Sequence, residues 1–174
     1  MTSSPNSPTR RSIARGAAWS APALVLATPA LAHAASGAGG GPDLAVSTSM
    51  GGSQPYVNGA AGSQSATVSN VGGKAFTASA SVTIGVSEFF TNPSVSGSGW
   101  AVTGRVPSSG ETLYTLTYGP QIPAGTSTPP VTISWTYNKT TSGDSGGLWC
   151  AEIINDPAGG GNDSLCRVWS GQGA

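Results

Sequence analysis

The chain has 174 residues, is 8% charged and 37% hydrophobic, and balances 7 Lys plus Arg against 7 Asp plus Glu. A zero net formal charge with so few basic side chains argues against nucleic-acid binding, whose affinity comes largely from neutralising phosphates. Gly 26 and Pro 13 together make 39 residues, about 22% of the chain; that is below a purely disordered composition and well above an ordinary helical domain, and favours a turn-rich β protein.

Residues 1–34 have the layout of an export signal. Arg10, Arg11 and Arg15 lie within the first fifteen positions, and an uncharged, Ala-rich stretch follows from Gly16 to Ala32. Ala30-Leu31-Ala32 or Ala32-His33-Ala34 supplies the small residues a signal peptidase accepts, so cleavage is expected after Ala34, or two residues earlier after Ala32. The apolar run is interrupted by Ser20, Pro22, Thr28 and Pro29 and is shorter than the roughly 20 residues of a spanning helix, so no integral span is expected in the mature chain. Thr9-Arg10-Arg11-Ser12-Ile13-Ala14-Arg15 resembles the twin-arginine export motif, with Ile13 and Ala14 replacing its preferred Phe-Leu. That route carries folded domains and the general secretory route unfolded ones; both stay open. The style of the segment is similar to that of secreted proteins of high-GC actinobacteria.

Removal of residues 1–34 leaves Lys74, Arg105, Lys139 and Arg167 against all seven acids, a net charge of −3. No basic patch remains to recruit phosphate or anionic lipid. The single histidine, His33, leaves with the signal or stays at the extreme new N-terminus. Residues 35–42, Ala-Ser-Gly-Ala-Gly-Gly-Gly-Pro, read as a flexible linker; the strand-then-helix context of a phosphate cradle is missing around these glycines.

From residue 43 onward period-two alternation replaces any helical spacing. Alternation is first seen over Leu44, Val46 and Met50, then over Ala66 and Val68. Phe76, Ala78, Ala80, Val82, Ile84 and Val86 then alternate with Thr77, Ser79, Ser81, Thr83 and Gly85, giving one apolar and one hydroxyl-lined face. Further segments follow at Trp100 to Val106, Tyr114 to Tyr118, Val131 to Tyr137, Leu148 to Ile154 and Leu165 to Trp169. Turn chemistry bounds them at Gly51-Gly52-Ser53, Asn70-Val71-Gly72-Gly73, Asn92-Pro93, Ser108-Ser109-Gly110, Gly119-Pro120, Ser142-Gly143-Asp144 and Pro157 to Asn162. About eight strands over residues 43–170 predict one all-β domain, an immunoglobulin-like antiparallel β-sandwich with a single core.

Three stretches carry a family resemblance: Pro42-Asp43-Leu44-Ala45-Val46, Val68-Ser69-Asn70-Val71-Gly72-Gly73-Lys74-Ala75, and Ile122-Pro123-Ala124-Gly125 leading into Val131 to Tyr137. Over residues 43 to about 154 the chain resembles the Ig-like modules of bacterial surface and secreted proteins, including the cell-adhesion-related CARDB type. The resemblance implies an envelope or extracellular binding or structural module. It departs from the usual pattern in having one module rather than a tandem array, and in its cysteine pair.

Cys150 and Cys166 are the only cysteines, and an exported chain meets an oxidising setting, so a disulfide is expected. With the two cysteines opposite each other in a hairpin, Leu148, Glu152, Ile154, Ser164 and Val168 share the disulfide's face. Trp149, Ala151, Ile153, Leu165, Arg167 and Trp169 take the other face, which is the more apolar and is expected to meet the core.

Gly143-Asp144-Ser145-Gly146-Gly147 spells the string that surrounds the nucleophile of chymotrypsin-like proteases. The mechanism needs a histidine base ahead of the serine, and the mature chain has none, so the string reads as a Gly-rich turn. Asp156 and Asp163 bracket a Gly-rich loop and offer the oxygen ligands calcium prefers, yet without an EF-hand or repeat spacing, so a hairpin loop is the plainer reading. The remaining acids, Asp43, Glu88, Glu111, Asp144 and Glu152, are scattered and suggest no glycosidase pair. No catalytic residue, metal site or cofactor is expected. Phe89 and Phe90 are adjacent, so in an extended chain one must point outward, and they are the candidate contact surface. The partner, a cell-wall glycan or an envelope protein, is not identified by any residue; a secreted hydrolase accessory protein is a further alternative.

Overall fold

A computed structural model describes residues 40–173. The signal motif Arg10-Arg11 and the cleavage positions Ala32 and Ala34 lie outside the described residues. Among these residues no helix is long and apolar enough to cross a membrane.

Among the described residues nine strands follow one another: β1 (Leu44–Gly51), β2 (Ala61–Asn70), β3 (Ala80–Ser87), β4 (Phe90–Ser96), β5 (Trp100–Ser108), β6 (Glu111–Tyr118), β7 (Val131–Tyr137), β8 (Asp144–Ile153) and β9 (Ser164–Gln172). They form two antiparallel sheets, ordered β1-β2-β7-β4 and β5-β6-β3-β8-β9. Four strands opposite five is the spatial layout of a variable-type immunoglobulin sandwich, with a difference in connectivity. Here β4 crosses to the four-stranded sheet before β5 and β6 join β3 in the other one, which β8 and β9 complete.

Alternation of residue type determines which face each strand buries. Ala80, Val82, Ile84 and Val86 of β3 are buried and Ser81, Thr83 and Ser87 are not; Val131, Ile133, Trp135 and Tyr137 do the same in β7. Two departures from the sequence reading have identifiable causes. Alternation over Phe76 to Ser79 does not extend β3, because Phe76 pairs instead with Ile122 through reciprocal 2.9 Å backbone hydrogen bonds. The strand without a counterpart in the sequence alternation, β4, contains Asn92-Pro93, which the sequence marks as a turn. Asn92 sits at φ 53° and the register against β7 slips between Thr91 and Ser94, so the pair forms a bulge. Asn tolerates the left-handed conformation, and proline is accommodated because β4 is an edge strand.

The core is a single cluster between the sheets, dense in rings at one end. Phe90 stacks on Trp135 at 4.5 Å between centroids and tilts against Trp169 at 4.8 Å, joining β4 and β7 to β9 across the sandwich. Tyr56, from the β1–β2 connection, closes the cluster edge-on at 6.0 Å from Phe90. Its backbone accepts from Gln172 N (2.7 Å) and donates to Ser170 O (2.9 Å), anchoring that connection to β9.

In the last hairpin Cys150 faces Cys166 and the two are disulfide-bonded. The faces divide as the register requires: Trp149, Ala151, Ile153 and Trp169 are buried, whereas Leu148 and Val168 beside the disulfide are 65% and 73% exposed. Arg167, expected with the core-facing set, is exposed. β9 is the edge strand, and there its inner face lies beside β1, where the Arg167 guanidinium donates to Thr48 O at 3.4 Å.

The disulfide spans a sequence separation of 16, so its loss should lower unfolding stability by about 3 kcal/mol through chain entropy. Urea denaturation of the Cys150→Ala/Cys166→Ala variant should show an earlier midpoint with native β structure retained; an unchanged midpoint would refute a stabilising role.

Candidate functional site

The five-stranded sheet is not continuous. β3 pairs with β8 only over Val82–Ile84 against Ile153–Ala151, although β3 stays paired with β6 as far as Ser87 and β8 stays paired with β9 as far as Asp144. Beyond Ile84 the two central strands therefore diverge into a wedge. A cleft of about 250 Å³ occupies it.

Phe89, Trp149 and Trp169 supply aromatic walls to the cleft, Glu88 and Glu111 supply carboxylates, and Ser87 and Ser109 supply hydroxyls. The β3–β4 turn is tied to the β5–β6 turn by Glu88 N donating to Gly110 O at 2.9 Å, which holds the two acids along one rim. Two glycine positions keep the space open. A β-carbon on Gly85 would collide with the Glu111 carboxylate, and one on Gly147 would stand 3.1 Å from Trp169 Nε1. Side chains there would displace the acid or cover the indole.

The two rings part as adjacency requires. Phe90 pairs with Tyr137 at the start of β4 and packs into the core, 4% exposed, reaching the cleft only as part of its lining. Phe89 is half-buried and remains at the cleft, its ring centroid 6.3 Å from that of Trp169. Lys139 backs this ring, with its ammonium 5.7 Å from the Phe89 centroid. That ammonium donates to Gly143 O (2.7 Å) and Asp144 O (2.9 Å), and the Lys139 backbone exchanges hydrogen bonds with the Asn58 amide. Lys139 is thus a buried clasp for the turn before β8.

The protease-like string occupies that turn and the strand after it. Gly143 takes the turn conformation at φ 95°, whereas Asp144 to Gly147, expected in the turn, already belong to β8. Ser145 Oγ lies 2.6 Å from the Tyr137 hydroxyl, and the described residues contain no histidine. Of the string's residues, Gly146 and Gly147 line the cleft, as strand residues rather than turn formers. Their signal is the placement of two glycines just before Leu148-Trp149.

Asp156 and Asp163 do come together, at the ends of the β8–β9 loop. Asp156 Oδ1 accepts from Leu44 N (3.1 Å) and Ala158 N (3.3 Å), and Asp163 Oδ2 accepts from Gly160 N (2.8 Å). The loop is further bound to β1 by Val46 N donating to Asn162 O at 3.0 Å. Burial pushes the Asp156 carboxyl above its ordinary range; the Leu44 and Ala158 amides oppose this and the neighbouring Asp163 carboxyl adds to it. Among the described residues no three His, Cys, Asp or Glu side chains converge to hold a metal ion.

No family model matches the chain, and no curated protein does. Among solved structures it is similar to a cohesin module from a Clostridium perfringens family 33 glycoside hydrolase, at 10% identity and TM-score 0.47, covering 75% of this chain and 98% of that one. It is also similar to the Actinomyces fimbrial adhesin FimA, at 12% identity and TM-score 0.37, covering 74% of this chain and 55% of that one. A third similarity, at 13% identity and TM-score 0.38, is to AvmM, which catalyses macrocyclization in alchivemycin A biosynthesis, covering 74% and 88%.

Two outcomes are expected. The raised Asp156 value means the folded state holds that proton more tightly than the unfolded chain, so its contribution is full below the ordinary carboxyl value and is lost as pH rises through the raised one. Asp156→Asn, which keeps an acceptor for the two amides, should raise the melting temperature at pH 7 relative to wild type and remove this part of the pH dependence; an equal or lower Tm at pH 7 refutes the assignment. Ser145→Ala should cost about 1 kcal/mol by removing the hydrogen bond to Tyr137, measured by denaturation, with binding to partners unchanged.

Proposed function

We propose that the chain is exported, cleaved after Ala32 or Ala34, and acts outside the cell or at the envelope as a non-catalytic Ig-like binding module, of the general kind that includes CARDB-type modules. The observation that carries this reading is the wedge cleft, a concave site with aromatic walls and a few polar groups in an otherwise regular sandwich. Location is supported by the disulfide, which stands on the outer face of the last hairpin and suits an oxidising compartment. The partner fits an envelope protein better than a wall glycan, because Trp135, Trp149 and Trp169 are each at most 4% exposed and do not form an open stacking platform for sugar rings.

Co-sedimentation with walls of the producing organism tests this reading. The exported protein should pellet with walls above a wall-free control, and Ser109→Trp, which fills the cleft mouth from an exposed turn position, should abolish most of that binding. A protein that stays in the supernatant refutes envelope retention; undiminished binding by Ser109→Trp refutes the cleft as the recognition surface.

A further inference from the structure

We propose that the wedge cleft receives the cationic end of a lysine or arginine side chain presented by a protein partner, an inference that rests on the cleft being the module's recognition site. Charge is the first argument. The lining includes Glu88 and Glu111 and no Lys, Arg or His. Among the described residues neither glutamate has an ion-pair partner, and these residues as a whole carry four basic against seven acidic side chains, a net charge of −3. The cation beside Phe89, Lys139, is held by the Gly143 and Asp144 carbonyls and forms no ion pair with either glutamate.

The walls and the size narrow the ligand further. The wall ring left half-buried at the cleft is Phe89, and an aromatic face attracts an organic cation, more strongly where water is partly excluded; Trp149 and Trp169 are buried and present no open face. The same fold already places Arg105 5.1 Å from the Tyr114 ring centroid, so basic groups on rings are compatible with its packing. At about 250 Å³ the cleft is smaller than the roughly 300–1,000 Å³ of ordinary small-molecule sites, and suits one side chain rather than a cofactor or several sugar units. The strands themselves supply the reason for a polypeptide. Past the Ile84–Ala151 pair, β3 and β8 no longer hydrogen-bond to each other, so main-chain groups along both walls of the wedge are open to a partner's backbone, in the manner of strand addition.

The test is a tryptophan-fluorescence titration of the exported protein with acetylated, amidated five-residue Gly/Ser peptides carrying a central Lys, Arg, norleucine or Glu. Lys and Arg peptides should bind saturably and more weakly as salt is raised, with norleucine at least about tenfold weaker and Glu showing no binding. Glu88→Gln and Glu111→Gln, at surface positions that leave the fold intact by thermal unfolding, should each weaken the Lys peptide at least about fivefold. Norleucine binding as well as lysine, or either Gln variant at wild-type affinity, overturns the proposal, as does displacement of the Lys peptide by purified wall polysaccharide. Wall sedimentation without binding of either cationic peptide sinks the cation and leaves the envelope reading standing. Binding of the cationic peptides by a protein that does not sediment keeps the cation site and sinks the envelope reading.

Discussion

Phe90 packed between Trp135 and Trp169 is the contact from which the rest of the molecule takes its arrangement. It links the edge strand of one sheet to the edge strand of the other, with Trp135 from a strand adjacent to the first. The rings bury large areas, and their stacked and tilted geometry adds to that burial. Because Phe90 is drawn inward at the first residue of β4, the chain must turn sharply just before it. That turn leaves Phe89 at the surface, with Glu88 beside it. The aromatic wall and acidic rim of the cleft are therefore consequences of where the core anchors its rings.

The second constraint is the β8–β9 hairpin, which serves opposite purposes at its two ends. Near the loop it is locked by the disulfide, by pairing with β3 and by hydrogen bonds to β1 through Asp156 and Asn162. Toward Asp144 it leaves β3 and is held only by β9 and by the Lys139 and Tyr137 contacts around Ser145. A rigid end and a parted end within one pair of strands give a cleft with fixed walls, which limits the ordering cost of filling it.

Much of the fold was legible because period two is a direct readout of burial in a sandwich. The faces of β3 and β7 and the outward-facing disulfide all follow from alternation and from one assumption about which residues oppose each other. Alternation failed where backbone pairing overrode it, at Phe76, and where a bulge disguised a strand as a turn, at Asn92-Pro93. The cleft was less legible. Its carboxylates, Glu88 and Glu111, lie 23 residues apart in sequence and looked scattered, and they share a rim because β3 pairs with β6 as far as Ser87 opposite Glu111 and the turns that follow are hydrogen-bonded together. Adjacency singled out Phe89 and Phe90, but only the register with Tyr137 decides which of them turns inward.

The hairpin disulfide also bears on how the domain responds to mechanical load. A module held at one end by an envelope partner and pulled at the other is extended between its first and last strands. With Cys150 joined to Cys166, the segment between them cannot lengthen when the sheets come apart. At about 3.3–3.6 Å per extended residue, that withholds on the order of 50 Å of contour length from the stretched chain. Oxidised and reduced forms thus differ in reach as well as in stability, and the covalent bond confines extension under force to the residues outside the Cys150–Cys166 loop.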